Sequence, residues 1–327
     1  MKGRINMNKE SVICKAICIF FVTIMAVNIS GCVNQHPDKE MSRLSGDTLE
    51  DEAGSSSIAE VKAQEEMNSS ENLRVAVTSV AITEICDRMG IEPVAVPESQ
   101  ISDVVSTHPD AVTIGSPMSP DVETLRQIAP DYVLSPASLI SDLKPKYEAA
   151  GLPYAFFNLK SVTGMYKSIQ EFGTLIGKED KANELIAEFE NFYNEYSKKH
   201  EGKAGPRVLI LMGLPGSYVV ATENSYAGSL VELAGGVNVY AGTDKEFLNV
   251  NAEDMLLQNP DIILRTAHAM PDSVMEMFKE EFETNDIWSH FDAVKNGKVY
   301  DLPSEYFGMS ATFDYPEALN ILDDLLY

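Results

Sequence analysis

ETLRQIAPDYVL at Glu123–Leu134 and EDMLLQNPDIIL at Glu253–Leu264 are two versions of one pattern, 130 residues apart. Each is a short helical run, then Pro-Asp, then an apolar run. Glu, Pro, Asp and the closing Leu fall at matching positions. Proline disfavours helix at the residue before it, and the branched and aromatic residues behind it are those of a buried strand. A helix–Pro-Asp–strand unit used twice predicts two similar α/β lobes. Two lobes make a cleft, and a cleft is where a ligand goes.

Outward from these units the alternation continues. Strands are expected at Leu73–Val77, Val94–Val96, Ala111–Ile114, Tyr132–Leu134 and Tyr154–Phe157, with a helix over Ile82–Met89 ended by Gly90. Ser119 reads as an N-cap, with Pro120 at the first helical position and Asp121 in the first turn. In the second half, strands are expected at Arg207–Met212, Val219–Thr222, Ile262–Arg265 and Val299–Leu302, and helices at Ser229–Ala234 and Pro316–Leu326. Between the halves Ala182, Leu185, Ile186, Phe189, Phe192, Tyr193 and Tyr196 fall at helical spacing. The fold class is therefore α/β: two Rossmann-like lobes with parallel sheets, residues 72–160 and 205–327, joined by a single long helix within 161–204. Such a strut implies modest lobe movement.

The N-terminus reads as a targeting segment. Lys2, Arg4, Lys9 and Lys15 precede the apolar run Ile17–Val27, which is short for a membrane span and suits a signal-peptide core. Ile29-Ser30-Gly31-Cys32 resembles the bacterial lipoprotein cleavage box, so residues 1–31 are expected to be removed and Cys32 lipidated, giving a palmitate-type anchor. Cys14 and Cys18 would leave with the signal. Cys86 then remains as a single thiol, packed as a small hydrophobe with no disulfide to form. Residues 33–71 carry ten acids against three bases and few large apolar side chains, the composition of a disordered acidic tether. Its r.m.s. reach would be roughly 35 Å. The formal charge of −25 becomes −28 without the signal, which repels nucleic acid and anionic lipid headgroups.

Ligands of open parallel sheets bind beyond the carboxyl ends of strands. Met118, in Gly115-Ser116-Pro117-Met118, and His268, in Thr266-Ala267-His268-Ala269-Met270, both follow predicted strands, one per lobe. A thioether facing an imidazole suits haem iron. Taken singly, a loop Met more often fills a hydrophobic gap and a loop His more often sits hydrogen-bonded at the surface. His36, His108, His200 and His290 lack metal-ligand spacing, and there is no C-x-x-C-H for covalent haem. Nucleophile-elbow, P-loop and dinucleotide-binding motifs are absent too, so an enzyme is not expected. In Gly213–Tyr218 the glycines are expected to let the backbone turn close to a ligand, with Tyr218 either a cleft wall or a packed turn aromatic.

Residues 72–327 resemble the lobes of bacterial ABC-transporter substrate-binding proteins for haem, siderophores and cobalamin, the periplasmic-binding-protein type with a helical linker. VLILMGLPGSYVVATENSYAGSLVELAGG, NPDIILRTAHAMPD and NDIWSHFDAVKNGKVYDLP are similar to the haem-receptor lipoproteins of the iron-regulated surface determinant system of Gram-positive bacteria. The resemblance implies a membrane-anchored iron-transport receptor on the extracellular face of the cytoplasmic membrane. Its transported ligand would be haem b, with Met118 and His268 as axial ligands; Met270 and Met309 are alternative sulfurs. Hydroxyls or helix N-termini near Ser79, Ser116 and Tyr218 are candidate donors to the propionates. The resemblance also implies docking of Glu123 and Glu232 on an ABC permease with its ATPase, haem received from cell-surface donor proteins, and a monomeric receptor. The alternatives are a ferric-siderophore or cobalamin-type receptor of the same fold, or a haem-using surface electron carrier.

Overall fold

A computed structural model describes residues 58–62, 73–99 and 104–327. The signal segment 1–31, Cys32, His36 and the tether apart from 58–62 lie outside the described residues. In the first half come β1 (Ile58–Lys62), β2 (Val75–Val77), α1 (Val80–Arg88), β3 (Ala95–Val96), α2 (Val104–Thr107) and β4 (Val112–Thr113). They are followed by β5 (Gly115–Ser116), β6 (Ser119–Pro120), α3 (Val122–Ile128), β7 (Tyr132–Pro136), α4 (Ile140–Ala150) and β8 (Tyr154–Phe157). The sheet order is β1-β8-β7-β2-β3-β4, and every pair from β8 to β4 is parallel. The expectation of a tether through residue 71 is corrected at Ile58–Lys62, which pairs antiparallel with β8. The outer edge of β8 offers unpaired backbone groups that any extended segment can satisfy.

Two helices link the lobes, α5 (Val162–Leu175) and α6 (Glu179–Lys198). The second half contains β9 (Arg207–Leu214), β10 (Ser217–Ala221), α7 (Tyr226–Leu233), β11 (Val237–Asn238), β12 (Phe247–Leu248) and α8 (Ala252–Gln258). After these come β13 (Ile262–Ala267), α9 (Pro271–Thr284), α10 (Asp292–Lys295), β14 (Val299–Asp301) and α11 (Tyr315–Leu326). Its sheet, β12-β10-β9-β13-β14 with β11 beside β9, is parallel through β11, β9, β13 and β14. β10 runs antiparallel to β9, because Pro215-Gly216 closes a two-residue turn in which Gly216 takes φ 80°, and β12 pairs antiparallel with β10.

The repeated unit folds the same way twice. α3 and α8 each end in a left-handed residue, Ala129 and Asn259, both at φ 48°, with a buried proline next. Asp131 then accepts the Arg74 backbone N–H at 2.8 Å, while the Arg74 guanidinium caps the Ile128 carbonyl at 2.6 Å. In the second lobe Asp261 accepts the Arg207 N–H at 2.8 Å and Arg207 caps Gln258 at 2.7 Å. The arginine at the start of each lobe's first core strand is thus part of the repeat, clasping a helix end to the sheet.

The link is wider than one helix. Lys178, at the N-cap of α6, reaches the Gly90 carbonyl of the first lobe at 3.1 Å. At the other end Tyr193 and Tyr196 donate to Leu233 and Leu319 of the second lobe at 3.3 and 3.0 Å. α5 packs along α6 so closely that a Cβ on Gly173 would stand 2.7 Å from that of Ala182. The hydroxyls of Tyr166 on α5 and Tyr315 on α11 are 3.2 Å apart, and Tyr166, Phe189, Tyr193 and Tyr315 form an aromatic seam. One continuous buried core runs from Val75 and Ile82 through this seam to Ile210 and Leu322. Cys86 lies in that core with no disulfide partner among the described residues, and burial pushes its thiol pKa up.

Replacing Asp131 or Asp261 by alanine is expected to cost about 1–2 kcal/mol each, one clasp hydrogen bond plus an orphaned backbone donor. The two losses should add in the double variant, because the sites share no partner. Urea denaturation of the single and double variants checks both statements.

Candidate functional site

Met118 stands at the apex of a tight hairpin. β5 and β6 pair as Gly115–Pro120 and Ser116–Ser119, leaving Pro117-Met118 as the two turn residues. The expected N-cap at Ser119 is corrected: Ser119 and Pro120 are spent in the hairpin, and Asp121 caps α3 instead. One Asp121 carboxylate oxygen accepts the Glu123 and Thr124 N–H groups at 3.0 Å, which holds its pKa below the usual carboxylate range. The hairpin follows β4, and the Gly115 carbonyl is anchored by the Glu98 N–H at 2.8 Å. Met118 is 70% exposed, so its thioether fills no gap in the core.

His268 follows β13 directly, and its N–H donates to the Gly213 carbonyl of β9 at 3.0 Å. Gly213 has no side chain because Val274 and Phe278 of α9 would collide with one. Its role is helix packing and support of the His268 loop, and the tight turn falls to Pro215-Gly216. His268 is exposed, and Met270 two residues on is 62% exposed in a left-handed conformation at φ 48°. Met270 leaves the same short loop as His268, so it is poorly placed to approach an iron from the face opposite that imidazole. Met309 packs against the main core.

The hydroxyl candidates separate. Ser79 follows β2 and caps α1, accepting the Ile82 N–H at 3.2 Å, so a helix N-terminus points past the carboxyl end of the first lobe's sheet. Ser116 is exposed on the Met118 hairpin. Tyr218 is the packed aromatic rather than a cleft wall with a free tip: it lies against Phe278 and Trp288 and donates to Glu281 at 3.1 Å. Burial and the adjoining Glu281 carboxylate raise its pKa. Burial opposes charge on Glu281, but hydrogen bonds from Trp288, Asn285 and Tyr218 outweigh it and keep that pKa low.

Glu123 and Glu232 are exposed, Glu123 beside Arg126 at 3.4 Å on the same helix. Sequence reasoning missed the segment 303–314, which carries no periodicity. There the Ala311 N–H donates to Leu159 of the first lobe at 2.8 Å, and the Arg88 guanidinium lies 4.3 Å over Phe313. A Lys160–Glu246 ion pair at 3.1 Å adds a further bridge between the halves. Burial and the nearby Asp314 raise the pKa of Glu84, on the inner side of α1. A depression of about 520 Å³ lies elsewhere, beside Arg265 and Asp301 of the second lobe, and neither Met118 nor His268 lines it.

His108 is buried. Its Nε2 is 2.9 Å from Asp87 and its Nδ1 3.0 Å from the Val104 carbonyl. Burial disfavours the imidazolium, yet Asp87 and Val104 outweigh it and raise the pKa above the usual value. A raised pKa contributes stability that is full below the ordinary imidazole value and lost as pH rises through the folded-state value. His108→Gln should therefore show its largest stability deficit at mildly acidic pH, and the gap should close toward alkaline pH in urea midpoints.

The periplasmic binding protein family model matches residues 75–306. The high-affinity heme uptake system protein IsdE of Staphylococcus aureus (strain Newman) is 40% identical over 270 residues, covering 81% of this chain and 91% of that protein. A crystal structure of an ABC transporter substrate-binding protein from Listeria monocytogenes EGD-e aligns with TM-score 0.74 at 43% identity, over 78% of this chain and 99% of the other. The crystal structure of S. aureus IsdE complexed with heme aligns with TM-score 0.72 at 40% identity, over 78% and 99%.

Proposed function

This chain belongs to the periplasmic binding protein family, and on that basis we propose that it is a haem receptor delivering its cargo to an ABC permease. The relatives are substrate-binding transport proteins, not enzymes. The observation that carries the reading is the exposed thioether of Met118 on one lobe and the exposed imidazole of His268 on the other, each beyond a strand's carboxyl end. Haem b would lie edge-in between the lobes with its iron held by these two side chains. Two strong axial ligands leave no open position for oxygen chemistry, which suits a carrier. The α1 N-terminus at Ser79 and the Ser116 hydroxyl are donors to the propionates in this reading; Tyr218 is not, since its hydroxyl already donates to Glu281.

A siderophore cargo finds less support. Anionic ferric complexes call for free arginines, and both arginines beyond residue 130 are occupied: Arg207 on Gln258, Arg265 on Asp301. In the haem reading the protein is a monomer anchored through Cys32 on the outer face of the cytoplasmic membrane, supplied by surface haem donors. Glu123 and Glu232 meet basic pockets on the permease and speed the encounter more than they add affinity.

Haemin added to the protein should give a low-spin, six-coordinate spectrum. His268→Ala and Met118→Leu should each lose it and turn high-spin; a flat titration, or both variants matching the parent, overturns the assignment. Glu123→Ala/Glu232→Ala should keep the haemin spectrum unchanged while haem-dependent growth on the receptor falls. Unchanged growth removes the docking role.

A further inference from the structure

The two halves of the duplication differ at one register position of the repeated strand. Aligned through Pro130-Asp131 and Pro260-Asp261, Ser135 on β7 corresponds to Arg265 on β13. Each pairs with the next strand out, Ser135 with Phe156 and Arg265 with Asp301. In the first lobe this position is sealed. The Ser135 hydroxyl is 2.9 Å from that of Tyr147, Tyr147 stacks on Phe156, and all three are buried. Beyond them, β1 covers the outer edge of β8.

In the second lobe the same position is open. Arg265 makes two hydrogen bonds to Asp301, at 2.6 and 2.9 Å, and its guanidinium lies 4.8 Å over Phe282. Beside this pair is the depression of about 520 Å³, walled by α9. Among the described residues β14 has no strand on its outer side. The Ile263 N–H goes to Lys298 and the Leu302 N–H to Arg265, so Val299 and Asp301 turn their backbone groups outward. Met275 and Phe282 give the depression an apolar floor. Of its charges, Arg265 pairs with Asp301 and Lys279 with Glu276, leaving Asp272 and Glu283 without a cationic partner among the described residues.

We infer that this groove receives an extended, basic segment of a protein partner, added antiparallel to β14 as β1 is added to β8. Strand addition satisfies the outward groups of Val299 and Asp301, and alternate side chains of the guest reach the groove. Lysine or arginine there would neutralise Asp272 and Glu283. A second copy of this chain is a poor guest, since each carries −25. The groove includes neither Met118 nor His268, so the inference stands apart from the haem reading.

The chain has its own reporter, since its single tryptophan, Trp288, stacks at 4.2 Å on Phe282 in the groove. A short peptide alternating Lys and Val, titrated into the haem-free protein, should change Trp288 emission saturably. Its Glu-Val counterpart, an N-methylated Lys-Val peptide, and the Asp272→Lys/Glu283→Lys protein should each bind about tenfold more weakly or worse. No saturable change with the Lys-Val peptide overturns the proposal. So does equal binding of the N-methylated peptide, which means charge adsorption without strand addition, or equal binding by the charge-reversed protein. Haemin titration of that variant should match the parent, which shows it folded and keeps this test independent of the cargo.

Discussion

The aromatic seam along α6 is the constraint on which the rest of the structure depends. Tyr166 and Phe189 stack at 4.9 Å, Phe189 and Tyr193 at 5.8 Å, and Tyr315 meets Phe189 edge-on at 5.5 Å. Each such pair adds about 0.5–1.5 kcal/mol beyond the area it buries. These rings come from both link helices and from the last helix of the second lobe, and they lie in the one buried core that both lobes share. A packed core is not continuously deformable. Large rotation of one lobe on the other would open the seam, so the strand-end loops are held in a nearly fixed relation. Pre-organised jaws spare a rigid, flat ligand the cost of ordering its own site.

Duplication explains the scaffold and divergence explains the chemistry. The helix–Pro-Asp–strand unit, with its arginine clasp, is structural in both lobes and touches no candidate ligand. What differs is attached around it. Met118 precedes its unit's helix on a hairpin; His268 follows its unit's strand on a loop braced by Gly213. Ser135 is walled in by Tyr147 and Phe156, whereas its counterpart Arg265 borders an open groove. The two proposed iron ligands lie where the copies disagree.

Much of this was legible before folding. Periodicity and Pro-Asp punctuation locate most core strands within a residue or two, because a buried strand must be apolar and proline disfavours helix at the residue before it. The candidate pair was legible as residue types behind predicted strands, aided by the family resemblance. Other features were not. The hairpin at Ser119-Pro120 looked like a helix start because Ser-Pro-Asp satisfies a cap pattern locally, and only pairing with Gly115-Ser116 decides otherwise. The antiparallel β10 looked like any apolar strand, since direction leaves no mark on composition. The packed state of Tyr218 and the buried pairing of His108 were not legible, because their partners, Glu281 and Asp87, lie 63 and 21 residues away.

The sequence by itself determined two α/β lobes, a long amphipathic helix between them, an acidic surface and the chemical types available at the strand ends. These are consequences of local sterics, hydrophobic period and charge, each readable within a short window. Tertiary structure alone decided which of those groups remain available. Met118 and His268 are left exposed, while Tyr218, Arg207 and Arg265 are consumed by partners distant in the chain. Availability depends on what long-range packing leaves unsatisfied, and no short window of sequence records that.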